Sequence, residues 1–292
     1  MSSVTDQPAT DSGQRASGSS FYAAMRIMPK AQREAMFEIY SFCRLVDDIA
    51  NDGGPKDLRL NQLQRWRSDI DALYAGTAPP HLRALARCVR EFNLQREDFI
   101  AVIDGMEMDV VADIRAPDFA TLDLYCDRVA SAVGRLSVRV FGMEKEAGLA
   151  LAHHLGRALQ LTNTLRDIDE DGAIGRLYLP REALANAGIS TNDPATALAN
   201  PAIGQACAPV VARAQKHFAE AEAIMARSPR RAVKTPRIMA AAYRIYLDRM
   251  IARGWQMPRE RVRLNRWQFL WILLRSPLEI AAGPAEPGIK GH

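Results

Sequence analysis

Gln160-Leu-Thr-Asn-Thr-Leu-Arg-Asp-Ile-Asp-Glu-Asp171, continued by Gly175-Arg-Leu-Tyr-Leu-Pro180, follows a helix-compatible run over residues 149–159. No Gly or Pro lies between Arg157 and Asp171, so one uninterrupted helix is expected there. Residues four apart on an α-helix lie almost above one another. The expected helix therefore stacks Asn163, Asp167 and Asp171 in one column, with Arg166 beside it and Asp169 and Glu170 off it. Such a ladder of hard oxygen donors suits Mg²⁺ held together with a phosphate, because Mg²⁺ takes few carboxylates and completes its shell with water and phosphate oxygens. A run of charge is ordinarily a solvated face. Two features count against that here: the column contains an amide, and an acidic cluster of the same spacing stands far upstream.

That cluster is Tyr40-Ser-Phe-Cys-Arg-Leu-Val-Asp-Asp-Ile-Ala-Asn-Asp52. Tyr40, Arg44, Asp47 and Asn51 form a single helical stripe, while Phe37, Ile39, Phe42, Val46 and Ile49 make the other faces apolar. A helix that favours burial all round yet carries Arg and acids points to a polar-lined cavity inside a helical protein. Two such helices face to face leave room for diphosphates and metal ions between them. The expected fold is all-α, a helical bundle whose central cavity is lined by the two Asp-rich helices.

The two clusters, their order and their surroundings resemble the squalene/phytoene synthase family of head-to-head prenyl transferases, from about Ser17 to Arg275. Ala16-Ser-Gly-Ser-Ser-Phe-Tyr22, Met28-Pro-Lys30, Ile39-Tyr-Ser-Phe-Cys-Arg-Leu-Val-Asp-Asp-Ile-Ala50, Asp104-Gly-Met-Glu-Met-Asp109 and the 160–171 stretch are most similar to the bacterial subgroup that makes presqualene diphosphate for hopanoids. The resemblance implies an isoprenoid-synthase-type bundle. It also implies a Mg²⁺-dependent transferase, with Mn²⁺ as a substitute, joining two farnesyl diphosphates to presqualene diphosphate. Phytoene or dehydrosqualene synthesis is the alternative within the same fold, and a non-catalytic assembly or binding relative is the alternative outside it. Retention of Asp47, Asp48, Asp167 and Asp171 argues against the last.

The remaining chain fits this class. With 48% apolar residues, the 292-residue chain has enough for a substantial core, and its Ala-, Leu- and Arg-rich segments favour helices. A net charge of +4 suits anionic substrates or an anionic surface, and no compact basic stripe with interleaved aromatics points to nucleic acid. Cys43, Cys88, Cys126 and Cys207 lack metal-type spacing and read as small core residues of a reducing compartment. No signal-like segment and no apolar run of about 20 residues is present. A cytoplasmic protein is expected, in peripheral contact with the inner membrane face through Trp267-Gln-Phe-Leu-Trp-Ile-Leu-Leu274 if that run is not core, and working beside downstream pathway enzymes.

Residues 1–16 are expected to be a disordered tail, 17–278 the catalytic domain and 279–292 a flexible tail. Helices are expected over residues 30–52, 56–74, 81–92, 95–112, 125–141, 203–225 and 236–253. Residues 188–201 read as a loop, and Pro229-Arg-Arg231 with Lys234 as a basic break. The acids of residues 95–112 read as solvent-facing, or, as the resemblance implies, as part of a helix that contributes to the cavity wall, and none is assigned to metal. Gly134 in mid-helix costs around 1 kcal/mol against Ala, which argues for a packing or ligand role.

Departure of diphosphate from an allylic carbon separates charge, and the site must neutralise the leaving group. Asp47, Asp48, Asn163, Asp167 and Asp171 are assigned to Mg²⁺–diphosphate binding, and Arg44 and Arg166 to phosphate oxygens, which a guanidinium fork matches. Tyr40 is placed to bond a diphosphate or bridging water. The resemblance further implies that Tyr125 and Tyr246 line the reaction chamber, that Ser20, Phe21 and Tyr22 contact substrate, and that Arg261 reaches a phosphate. Phe21, Tyr22 and Phe42 are candidates for aromatic walls around a cation. The family's first motif normally carries Asp where this chain has Asn51, with Asp52 following. Asn51 is expected to serve, because Tyr40 and Arg44 fix the inward face. No NAD(P)H is expected, since no Gly-rich phosphate fingerprint follows a strand.

Overall fold

The structure, a computed structural model, describes Met25 and residues 28–111 and 114–263. Ser20, Phe21, Tyr22, both tails and the 267–274 run lie outside the described residues. Among the described residues there is no strand, and one isolated parallel bridge joins Arg115 to Leu177. No helix among them is long and apolar enough to cross a membrane.

Helix α1 (Lys30–Asn51) starts directly after Pro29 and buries Met36, Ile39, Phe42 and Val46. It stops before Gly53, whose φ of 68° suits a residue without Cβ. α2 (Lys56–Tyr74), a 3₁₀ turn (Pro80–Leu82), α3 (Arg83–Phe92) and α4 (Arg96–Val111) follow as the sequence predicts. Phe42 is not a cavity wall. Its ring meets Phe99 edge-on at 5.1 Å and Trp66 at 5.5 Å, inside the core shared by α1, α2 and α4.

α5 (Phe119–Cys126) is capped by Asp118, whose Oδ1 accepts from the Thr121 amide at 2.7 Å. A π-helical turn (Asp127–Ser131) leads into α6 (Ala132–Val140), where one regular helix was expected. That turn is pinched between two glycines. A Cβ on Gly105 of α4 would lie 2.6 Å from Val129 Cγ1, and one on Gly156 would lie 2.6 Å from Ser131 Cα. Gly134 allows the same close approach to Ala152.

The central segment differs from the uninterrupted helix expected. α7 (Lys145–Arg166) ends at Asp167, whose backbone (φ −98°, ψ 16°) leaves the helical region, and a short α8 (Ile168–Ala173) restarts after it. The Asp167 amide still donates to Asn163 O and the Asp171 amide to Asp167 O, both at 2.8 Å. The column therefore survives with a kink. The bidentate pull of Arg166 on its neighbour Asp167 sits at that kink.

Beyond α9 (Arg181–Asn186), the expected loop contains α10 (Pro194–Ala199), because Asp193 caps it through the Thr196 amide and Pro194 suits the first turn. α11 (Ile203–Arg227) is followed at once by α12 (Arg230–Arg253), so the basic stretch after Pro229 is helix and not a break. Pro229 precedes the first turn, which needs no intrahelical N–H donors, and Pro236 is accommodated inside.

Among the described residues two large apolar cores result, with a small third cluster of Ile238, Met239 and Ala242 on α12. One gathers α1–α4 with Leu136 and Val140 of α6; the other gathers α7, α11 and the residues around Leu177 and Leu179.

Candidate active site

Between the two cores lies a cavity of about 440 Å³. Its walls are apolar: Val102 and Met106 of α4, Val133 of α6 and Phe141 just after it, Leu155 and Leu159 of α7, and Met239 of α12. Tyr40, Arg44 and Asp47 of α1 and Gln160 and Asn163 of α7 supply its polar end. Of these, Asp47 and Asn163 lie near the C-terminal ends of α1 and α7, where the helix dipoles are negative and favour cations. The expectation of a cavity bordered by the two Asp-bearing helices therefore holds.

On α1, Arg44 donates to Asp47 Oδ2 at 3.0 Å and to Asp48 Oδ1 at 2.9 Å. Asn51 Nδ2 donates to Asp47 Oδ1 at 3.1 Å. Burial raises the Asp47 carboxyl above the usual range, with Arg44 opposing. Asp52 is exposed.

On the α7 side, Arg166 binds both oxygens of Asp167, at 2.9 and 2.6 Å, and Arg261 donates to Asp167 Oδ1 at 2.7 Å. Burial pushes the Asp167 carboxyl up, but the two guanidinium groups prevail and hold it below the ordinary value. Asp171 has no such pair. Burial first, then Asp167, pushes it up to about 7 against the pull of Arg176. Asn163 Oδ1 is buried without a hydrogen-bond partner. The two acids off the column have other tasks: Asp169 holds the buried Arg259, and Glu170 pairs with Arg261 at 3.1 Å.

Tyr125 and Tyr246 are placed otherwise than the wall expected of them. Tyr125 is buried, stacks on Tyr178 at 5.1 Å and donates to Asp109 Oδ2 at 3.0 Å. Tyr246 lies under the Arg166 guanidinium at 5.4 Å, and its neighbour Tyr243 lines the cavity instead. Cys43 lines the cavity too, half-buried, its thiol pushed up to about 12 by burial.

Residues 14–268 match the sequence profile of the family described as squalene/phytoene synthase. The chain belongs to the squalene/phytoene synthase family. It is 59% identical to the presqualene diphosphate synthase of Rhodopseudomonas palustris over 272 residues, 93% of this chain and 97% of the relative. It is 59% identical to that of Sinorhizobium fredii over 89% of this chain and 94% of the relative. Its fold superposes on a crystal structure of a dehydrosqualene synthase with a TM-score of 0.79, covering 94% of this chain and 96% of the other at 20% identity.

In this family member the site contains three residues to which the sequence reading gave no role. Arg176 Nη1 donates to Asn51 Oδ1 at 2.8 Å, so the tail of the second motif reaches the first. Tyr178 donates to Asp109 Oδ1 at 2.7 Å. Asp109, expected at the surface, is buried, and burial raises its carboxyl while Arg176 opposes. Asp98 on the same helix is buried against Arg135, and Asp104 and Glu107 pair with Arg67, so these acids are engaged while Glu97 is exposed. The bridge at Leu177, with Leu177 N to Ile114 O and Ala116 N to Leu177 O both at 2.8 Å, holds the 176–179 segment extended. Alternate side chains of an extended segment face opposite ways. Leu177 and Leu179 enter the core, and Arg176 and Tyr178 enter the site. The Arg-Leu-Tyr-Leu alternation was the available signal.

Proposed function

We propose that this chain is a prenyl transferase that condenses two farnesyl diphosphates head to head, yielding presqualene diphosphate, one diphosphate and one proton. One arrangement carries the reading: an apolar cavity closed at one end by two carboxylate clusters on facing helices, with Asn163 Oδ1 buried and unbonded among them. The relatives named presqualene diphosphate synthase support the choice of product.

The site fits Mg²⁺. A buried, unpartnered amide oxygen beside a group of carboxylates offers the hard oxygen donors that Mg²⁺ takes. Asp47, Asp48 and Asn51 on α1 would hold the ion from one side, and Asn163, Asp167 and Asp171 from the other. Mg²⁺ neutralises a departing diphosphate as its charge develops. Arg44, Arg166 and Arg261 exchange a carboxylate partner for phosphate oxygens, which their planar forks fit. Arg176 joins the two clusters and adds a fixed positive charge between them. Tyr125 and Tyr178 hold Asp109 in place behind it. The apolar wall receives the isoprenoid chains and excludes water from the cation formed when the C–O bond breaks. Tyr40 and Tyr243 present aromatic faces there.

The test is incubation of the purified chain with farnesyl diphosphate and Mg²⁺, with and without NADPH, followed by product identification. Presqualene diphosphate in both reactions is expected. Squalene formed only with NADPH, or turnover only with geranylgeranyl diphosphate, would overturn it in favour of a reductive or a phytoene-forming enzyme.

A further inference from the structure

The chain has five histidines, and three of them meet on one face. His153 and His154 stand on α7, and His217 stands on α11 opposite them. One ring nitrogen from each lies within 4.8 Å of the others, and His154 Nδ1 is 3.0 Å from His217 Nδ1. Ring centroids are 4.8 Å apart for His153–His154, 5.8 Å for His153–His217 and 5.2 Å for His154–His217, a compact triangle. None of the three lines the cavity, and their positions on α7 fall ten or so residues before Asn163.

From this geometry we propose a second, distinct metal site, in which His153, His154 and His217 bind one borderline divalent transition ion of the Zn²⁺ class. Imidazole nitrogen suits Zn²⁺, Co²⁺, Ni²⁺ and Cu²⁺, whereas Mg²⁺ takes oxygen. With metal–nitrogen bonds of about 2.0–2.1 Å, nitrogens in a tetrahedral site lie about 3.3–3.4 Å apart. The separations present bracket that spacing, so small ring rotations close the site. His153 is exposed and leaves the fourth position open to water.

Charges of both signs face the cluster. Asp123 and Asp127 face the cluster from α5 and the π turn, and Glu220 faces it from α11, together with Lys216. The guanidinium of α7 that faces the cluster, Arg157, is already bound by Asp123 at 2.8 Å and Asp127 at 3.1 Å. Burial also lowers all three imidazoles, His217 to about 4, which keeps them in the unprotonated form that ligates. An ion here clips α7, the carrier of Asn163 and Arg166, to α11.

Untagged, metal-free protein is titrated with Co²⁺ in excess Mg²⁺, which occupies the carboxylate set. One Co²⁺ per chain is expected, with the visible absorption of four-coordinate Co²⁺, displaced by Zn²⁺ and accompanied by a rise in Tm. His153→Gln lies on the surface and leaves the fold intact. It should weaken Co²⁺ binding by more than the about 10–100-fold that loss of an outer-sphere partner costs. His154→Gln with His217→Asn should abolish the absorption, and Asp167→Asn should leave it unchanged. Co²⁺ bound equally well by wild type and His153→Gln, or binding that disappears in Asp167→Asn, would overturn the proposal.

Discussion

Replacing Asp171 with Asn should make the metal-free protein more stable and the enzyme slower. The carboxyl moves from an ordinary 3.8 to about 7 on folding, driven by burial and by Asp167. At about 1.36 kcal/mol per unit, that span of roughly 3 units corresponds to about 4 kcal/mol, which solvent screening at a partly exposed position reduces to about 2. The folded chain holds this proton more tightly than the unfolded chain does. The associated stability is therefore complete below pH 3.8 and is lost as pH rises through about 7. Asn cannot ionise and keeps it. At pH 8 in EDTA the variant should exceed wild type by about 2 kcal/mol, or about 4–8 °C in Tm. The gap should halve near the midpoint of the two values, about pH 5.4, and close near pH 4. Mg²⁺ should raise the Tm of wild type more than that of the variant, because the ion binds the folded form through this carboxylate. Turnover should drop about 10²–10³-fold, the usual cost of one preorganised electrostatic group. Thermal unfolding across pH, with and without Mg²⁺, reads all of this. A variant less stable than wild type at pH 8 without metal, or a gap of constant size down to pH 4, would show that Asp171 is not a strained member of an ion-binding set.

Arg176→Gln removes the contact to Asn51 and the positive charge between the clusters, so kcat should fall about 10²-fold. Arg176→Lys should rescue little, since an ammonium cannot reproduce a planar fork; rates within threefold of wild type for either variant would refute the role. Asp52→Ala should stay near wild-type turnover, because Asp52 is exposed and outside the set, and Asn51→Asp should keep its acceptor for Arg176 and remain active. A folded but inactive Asp52→Ala enzyme would move the first motif by one residue. Gly156→Ala places a Cβ 2.6 Å from Ser131 Cα and 2.7 Å from its nitrogen. Neither backbone atom yields cheaply, so calorimetry should find about 1–3 kcal/mol of destabilisation.

The helical class, the bounds of α2 and the inward face of α1 were legible because a period of 3.6 is local information. The stripe Tyr40–Arg44–Asp47 and the column Asn163–Asp167–Asp171 follow from spacing alone, and the two clusters do border one cavity. The sequence could not show the break at Asp167, because a Gly- and Pro-free run gives no sign that Arg166 will clamp its own neighbour. Nor could it show the π turn at 127–131, which arises where Gly105 and Gly156 press on it from two other helices. Pro236 misled as a helix start, since it lies inside α12, whereas Ser228 and Pro229 do mark a narrow gap between α11 and α12.

Residue types and their periodicity determined that this chain is a helical bundle with two carboxylate ladders, since a helix folds its own near neighbours onto a face. Only the tertiary structure decided that Asp109 is buried, that Arg176 reaches across to Asn51, and that His217 meets His153 and His154. Those partners lie 60 to 125 residues apart along the chain, or draw their charge state from burial, and no local pattern encodes either.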